Sequence, residues 1–157
     1  VLWLVMESKP VQKDLGYEGG FSLSIACYPV YQMLCGLALE LVMKAVITQK
    51  KIPLKKTHDL NSLANDLGLP INDKRKKLLK YYKHYIEWSG RYPVPLSGKD
   101  EDLTSFFALA NSVTMTRAPS VEGSKLKVYR SNGATNWENF DDIWCIVAEM
   151  FKFNEHE

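Results

Sequence analysis

The chain has 157 residues, of which 46% are apolar and 24% charged, with a formal net charge of +2. That length supports one domain with one core, and the composition excludes a disordered or low-complexity chain. Three cysteines and three histidines, without C-x-x-C or H-E-x-x-H spacing, point to neither a disulfide framework nor a metal site, so Cys35 and Cys145, set among apolar neighbours, are expected to be buried free thiols in a reducing compartment.

The opening VLWLVM is apolar for only six residues, too short to span a bilayer or to form the apolar region of a signal peptide. Gly19-Gly20 reads as a loop. From about Tyr28 to Gln49 the apolar residues recur at helical spacing. Tyr31, Leu34, Ala38, Leu41 and Ala45 form one stripe, and Leu37, Val42 and Val46 widen it. A helix so nearly apolar all round is expected at the centre of a bundle, with Pro29 in its first turn. Glu40 and Lys44 interrupt the apolar run, which argues for a core helix over a membrane span.

In THDLNSLANDLGLP, Leu60, Leu63, Ala64 and Leu67 predict a short second helix, capped by Thr57 with Asp59 at its positive end and stopped by Gly68 and Pro70. A third helix is predicted from Asn72 or Asp73 to Ser89, with a lysine-rich start and Leu79, Tyr82 and Ile86 inward. Arg91-Tyr92-Pro93-Val94-Pro95 follows in extended form, because residues before proline avoid the helical region. The fourth helix is predicted over 100–115 with Leu103, Phe106, Phe107, Ala110 and Val113 inward. Residues 117–135 are the least helical stretch, with KLKVYR as a short strand and SNG as a turn. Phe140, Ile143, Trp144, Val147 and Phe151 predict a last helix from near Asn136. The expected fold is a single all-α domain over 1–157, an antiparallel up-and-down bundle of four to five helices with a short hairpin at about 117–135.

Charge is uneven along this plan. Residues 44–91 hold twelve Lys/Arg against four Asp/Glu, and residues 136–157 hold one Lys against six acids. Lysines 50, 51, 55, 56, 74, 76, 77, 80 and 83, with Arg75, make a basic surface that Tyr81, Tyr82, Tyr85 and Trp88 partly interleave. Cations beside aromatics suit phosphate contact with base stacking, although aromatics at this spacing are also ordinary core residues. No Walker lysine loop, G-x-G-x-x-G or RRM signature is present, and no cofactor is implied.

Three segments in order resemble the HEPN family, the helical domain of higher eukaryotes and prokaryotes associated with nucleotide binding. LALELVMKAVI is similar to the family's first long helix, with Glu40 four residues before Lys44. IPLKKTHDLNSL resembles its P…K-[ST]-H-[DN]-L-x-x-L segment, and HYIEWSGRYPVP its Y-I-x-x-x-R-Y-P. The best-matching part is residues 28–95. The resemblance implies a helical bundle, often dimeric, and in many members a metal-independent ribonuclease with R-x(4–6)-H near the last helix. Here no histidine follows Arg117 or Arg130 within that window, and His156 lies far downstream. The resemblance therefore implies a nucleotide- or RNA-binding module without that ribonuclease activity, cytoplasmic, homodimeric and with no membrane contact. Alternative readings are a protein-interaction partner in a toxin–antitoxin or defence system, such as the partner of a nucleotidyltransferase, and a ribonuclease with a non-standard site, His58 with Arg91.

Lys44, His58 and Arg91, with Lys55 and Lys56 beside them, are the candidate ligand contacts. Glu40, Thr57, Asp59, Tyr92 and Pro93 are read as structural. Glu40 is expected to pair with Lys44 at i, i+4, or with Arg91 to pin the RYP turn. His58 is expected to orient the junction with that turn.

Overall fold

A computed structural model describes residues 23–119 and 126–152, together with 13, 14, 16 and 123. The opening VLWLVM, Gly19-Gly20 and His156 lie outside the described residues. Five helices follow in order: α1 (Leu23–Gln49), α2 (Leu60–Asp66), α3 (Asp73–His84), α4 (Asp100–Thr114) and α5 (Trp137–Ala148). Between α4 and α5, β1 (Met115–Arg117) pairs antiparallel with β2 (Tyr129–Ser131), in the register Thr116 opposite Arg130. The fold is thus the all-α bundle with a short hairpin that the sequence implies. The hairpin's first strand begins at Met115, earlier than the expected 117–135 segment.

Helix α1 is the central element and packs on α2, α3, the segment after α3, and α5. Its buried side is Cys35, Leu39, Met43, Val46 and Ile47, with Gln32 and Glu40 beside them. This corrects the expected stripe. Leu34 is 43% and Leu41 67% exposed, and Ala45 is exposed, whereas Leu39 and Met43 are fully buried. Helix α1 is apolar around nearly its whole circumference, so periodicity carries no signal for which side meets the bundle. Pro29 lies inside α1, because the helix starts at Leu23. By length and composition Ile25–Gln49 could cross a membrane, but half of that apolar window is buried inside the bundle.

The cap of α2 is Asp59, whose carboxylate accepts from the Ser62 N–H at 3.0 Å; Thr57 instead accepts from the Asp59 N–H at 3.0 Å. Thr57 therefore sets the turn that presents the cap. Gly68, at φ +65°, ends α2: its N–H reaches Asn65 O and the next N–H reaches Ala64 O, the paired bonds of a Schellman stop. Asn72 caps α3 through the Arg75 N–H at 2.9 Å.

Helix α3 continues as one π-helical turn, Tyr85–Ser89. That turn presses on α1 so closely that a Cβ on Gly36 would meet Ile86 at 2.9 Å, and one on Gly90 would meet Met33 at 2.5 Å. Across α4, Phe106 and Val113 are buried, but Phe107 is 55% exposed, which corrects its expected inward position. Phe106 fills the space between Tyr81, Tyr85 and Trp88, with ring centroids 5.0 to 6.3 Å away, and leaves Phe107 on the open side. Phe140, Ile143 and Val147 bury α5 as expected. Cys145 is exposed on the opposite side of α5, so the expectation of a buried thiol holds for Cys35 alone of that pair.

Candidate functional site

Glu40 lies on the buried side of α1 with only 7% of its side chain exposed, so its charge must be satisfied inside the protein. Two groups satisfy it. The Lys44 ammonium, one turn on, donates to Oε1 at 2.6 Å, and Oε2 lies 2.9 Å from Nδ1 of His58. His58 arrives from the residue before the α2 cap, and α2 packs directly on α1. The ring is 54% exposed. A carboxylate at Nδ1 favours the tautomer with hydrogen there, leaving Nε2 as an acceptor. Nε2 makes no hydrogen bond among the described residues. Lys44 is 23% exposed, so one carboxylate holds a half-open imidazole and an ammonium side by side at the surface.

The connection from α1 to α2 brings more cations to this end of the bundle. Lys50, Lys51, Lys55 and Lys56 are exposed on it. Lys55 is engaged with Asp66 at 2.7 Å, while Lys56 makes no ion pair among the described residues. Asp59 accepts from Lys83 of α3 at 3.2 Å. Burial pushes the Asp59 carboxyl up, but the Ser62 N–H, the Lys83 ammonium and the Asn61 N–H outweigh it and hold the group below its ordinary value.

Arg91 makes no hydrogen bond or ion pair with Glu40, Lys44 or His58 among the described residues. Its guanidinium donates to Ile86 O at 2.7 Å, and the adjacent Gly90 rests on Met33, eleven residues before Lys44 on α1. The Glu40–Arg91 pair is not formed, and His58 bonds Glu40 rather than the RYP turn. The arginine instead closes the π turn, whose rearranged carbonyls offer it an acceptor. Tyr92 and Pro93 are exposed, and Tyr92 is tied by its own N–H to Trp88 O at 2.8 Å. Arg117 and Arg130 lie on the two hairpin strands, apart from these residues.

Elsewhere the bundle carries buried phenols and a thiol. Burial raises the Cys35 pKa to about 11 and pushes Tyr31 and Tyr82 well above the ordinary tyrosine range, which makes these groups inert at neutral pH. No group of three or more His, Cys, Asp or Glu side chains among the described residues is arranged to hold a metal ion.

The carboxylate of Glu40 holding His58 and Lys44 could not be read from any one segment, because it joins residues 18 positions apart. The separate signals, an acid inside an apolar helix and a histidine before a cap, were both visible. An antiparallel helical bundle with a polar cluster where the first two helices meet defines the class of protein, and the family follows from its matched residues. The family model described as the HEPN domain matches residues 21–118, and the chain belongs to that family. No curated protein and no solved structure matches it.

Proposed function

We propose that this HEPN domain is a nucleotide- or RNA-binding module that contacts phosphate through Lys44, His58 and Lys56, with Lys55 and the remaining lysines of the α1–α2 connection as outer contacts. The observation that carries the reading is the Glu40 carboxylate holding Lys44 and His58 together at the surface. A buried acid that holds the Lys44 ammonium in place gives a phosphate oxygen one preset donor, with the His58 ring beside it. Lys56 extends the positive field without a competing acid among the described residues. The His58 ring and Lys56 are exposed, which lets the backbone of a single strand reach them.

The test is fluorescence anisotropy with a short single-stranded RNA at several salt concentrations. Each lost phosphate contact lowers the logarithmic salt slope by about 0.7 on a single strand. Lys44→Ala and Lys56→Ala are each expected to reduce the slope by that amount. A wild-type affinity independent of salt would remove the electrostatic basis of the proposal.

The same geometry favours a second reading, a non-standard ribonuclease. Glu40 gives His58 the orienting carboxylate that a general base needs, while the Arg91 guanidinium is engaged by Ile86 O. RNA cleavage that survives His58→Ala undiminished would exclude this site.

The module acts as a homodimer in this reading. Val30, Leu34 and Leu41 of α1 are exposed, and the adjoining groove contains Trp137 and Trp144 of α5. An uncovered apolar stripe along a central helix, edged by indole rings, has the composition of an interface core.

A further inference from the structure

A second recess lies away from Glu40, at the start of α3. It encloses about 410 Å³ between the first turns of α3, the end of α4, the turn after β2 and the first half of α5. Its floor is apolar, formed by Leu78, Val113 and Ala134, all buried. Its rim is charged and amide-rich. Arg75 and Asp142 neutralise each other across it at 2.5 Å, and Asp73 lies 3.7 Å from Lys76. What remains uncompensated is two lysines. Lys74 donates to the side-chain Oδ1 of Asn139 at 3.3 Å, and Lys77 has no hydrogen bond or ion pair among the described residues. Asn72 uses its Oδ1 to cap α3, which leaves its NH₂ group unused among the described residues.

We propose that this recess binds a small phosphate monoester, such as a nucleoside monophosphate or a sugar phosphate. Two ammonium groups match the near-dianionic charge that a monoester carries at neutral pH. The Asn72 amide is a third donor, and the apolar floor takes the carbon body of the ester. The volume falls in the range of small-molecule sites. A polymer backbone presents only one charge per phosphate, whereas the two lysines match a doubly charged group. Its donors Asn72, Lys74 and Lys77 lie within the family-matched residues 21–118, while Asn132, Ala134, Asn139 and Asp142 beyond them complete the wall; none of these residues belongs to the surface around Glu40, so the proposal does not rest on the reading above.

The test is isothermal titration with AMP, ribose 5-phosphate and inorganic phosphate, on wild type, Lys44→Ala and the double variant Lys74→Ala/Lys77→Ala. Both lysines are exposed, so the double variant is expected to keep the wild-type melting temperature. A monoester is expected to bind wild type and Lys44→Ala equally and the double variant at least tenfold more weakly. Comparison of AMP with ribose 5-phosphate distinguishes a nucleotide from a sugar phosphate. Absence of binding by both monoesters, binding undiminished in the double variant, or inorganic phosphate binding as tightly as the monoesters would each overturn the proposal. Loss of AMP binding in Lys44→Ala alone would overturn it too, while supporting the surface around Glu40.

Discussion

Glu40 occupies a position on α1 that an aliphatic side chain could fill, and its two partners explain how a carboxylate is tolerated there. Glu40→Ala is expected to destabilise the domain by about 1–3 kcal/mol, since it removes two charge-assisted bonds while Lys44 and His58 keep access to water. A urea midpoint equal to wild type would show that the cluster contributes nothing to the fold. Gln32 is the opposite case: it is fully buried and neither side-chain polar atom has a partner among the described residues. Gln32→Met is therefore expected to stabilise by about 1–2 kcal/mol, and a loss of stability would reveal a partner for the amide. Asp59 links cap and charge. Its folded carboxyl titrates below its unfolded value, so its contribution is complete above about pH 4 and is lost as pH falls through the folded pKa. Asp59→Asn should flatten the acid limb of a stability–pH curve below about pH 4, and an unchanged limb would count against the shift. At this scale the sequence shows the chemistry of each residue but not its partner: His58 and Glu40 meet only because two helices pack.

For α3 and α5, whose faces are mixed, local signals were sufficient to find the inward side. Asn72, Gly68 and the stripes of α3 and α5 are legible because polar residues mark the outside. Helix α1 has no such contrast, and its inward side was unreadable for that reason. The π turn at Tyr85–Ser89 was equally hidden, because nothing in YIEWS distinguishes it from α-helix. Its consequence is the close approach at Gly90, where an added methyl would lie 2.5 Å from Met33 Cβ and 2.8 Å from the Tyr85 carbonyl. Neither neighbour is the free end of a flexible side chain. Gly90→Ala is expected to cost about 1–3 kcal/mol through overpacking, measured by thermal or urea unfolding. A neutral result would mean that the π turn relaxes to make room.

Over the whole molecule, the apolar stripe on α1 asks for a cover. Leu34→Glu/Leu41→Glu is expected to convert a dimer to a monomer in light-scattering chromatography without loss of helical signal, because both residues are exposed in the single chain. A wild type that is monomeric at every concentration would remove the dimer from the proposal. The hydroxyls of Thr135, Tyr28, Tyr81 and Tyr85 run in sequence across the bundle, with Thr135 to Tyr28 at 2.7 Å, Tyr28 to Tyr81 at 3.3 Å and Tyr81 to Tyr85 at 3.0 Å. They tie α1 to α3 and to the entry of α5. Burial, and then Tyr28 and Tyr85 beside it, pushes Tyr81 far above the usual tyrosine range. Above about pH 10 the unfolded chain sheds phenolic protons that the folded chain keeps, so stability falls as alkalinity rises. The phenols then act as a clock. In a rapid jump to high pH, Tyr81 and Tyr82 should ionise only as fast as the bundle opens. The slow phase of phenolate absorbance would thus report the lifetime of the native state with no label attached.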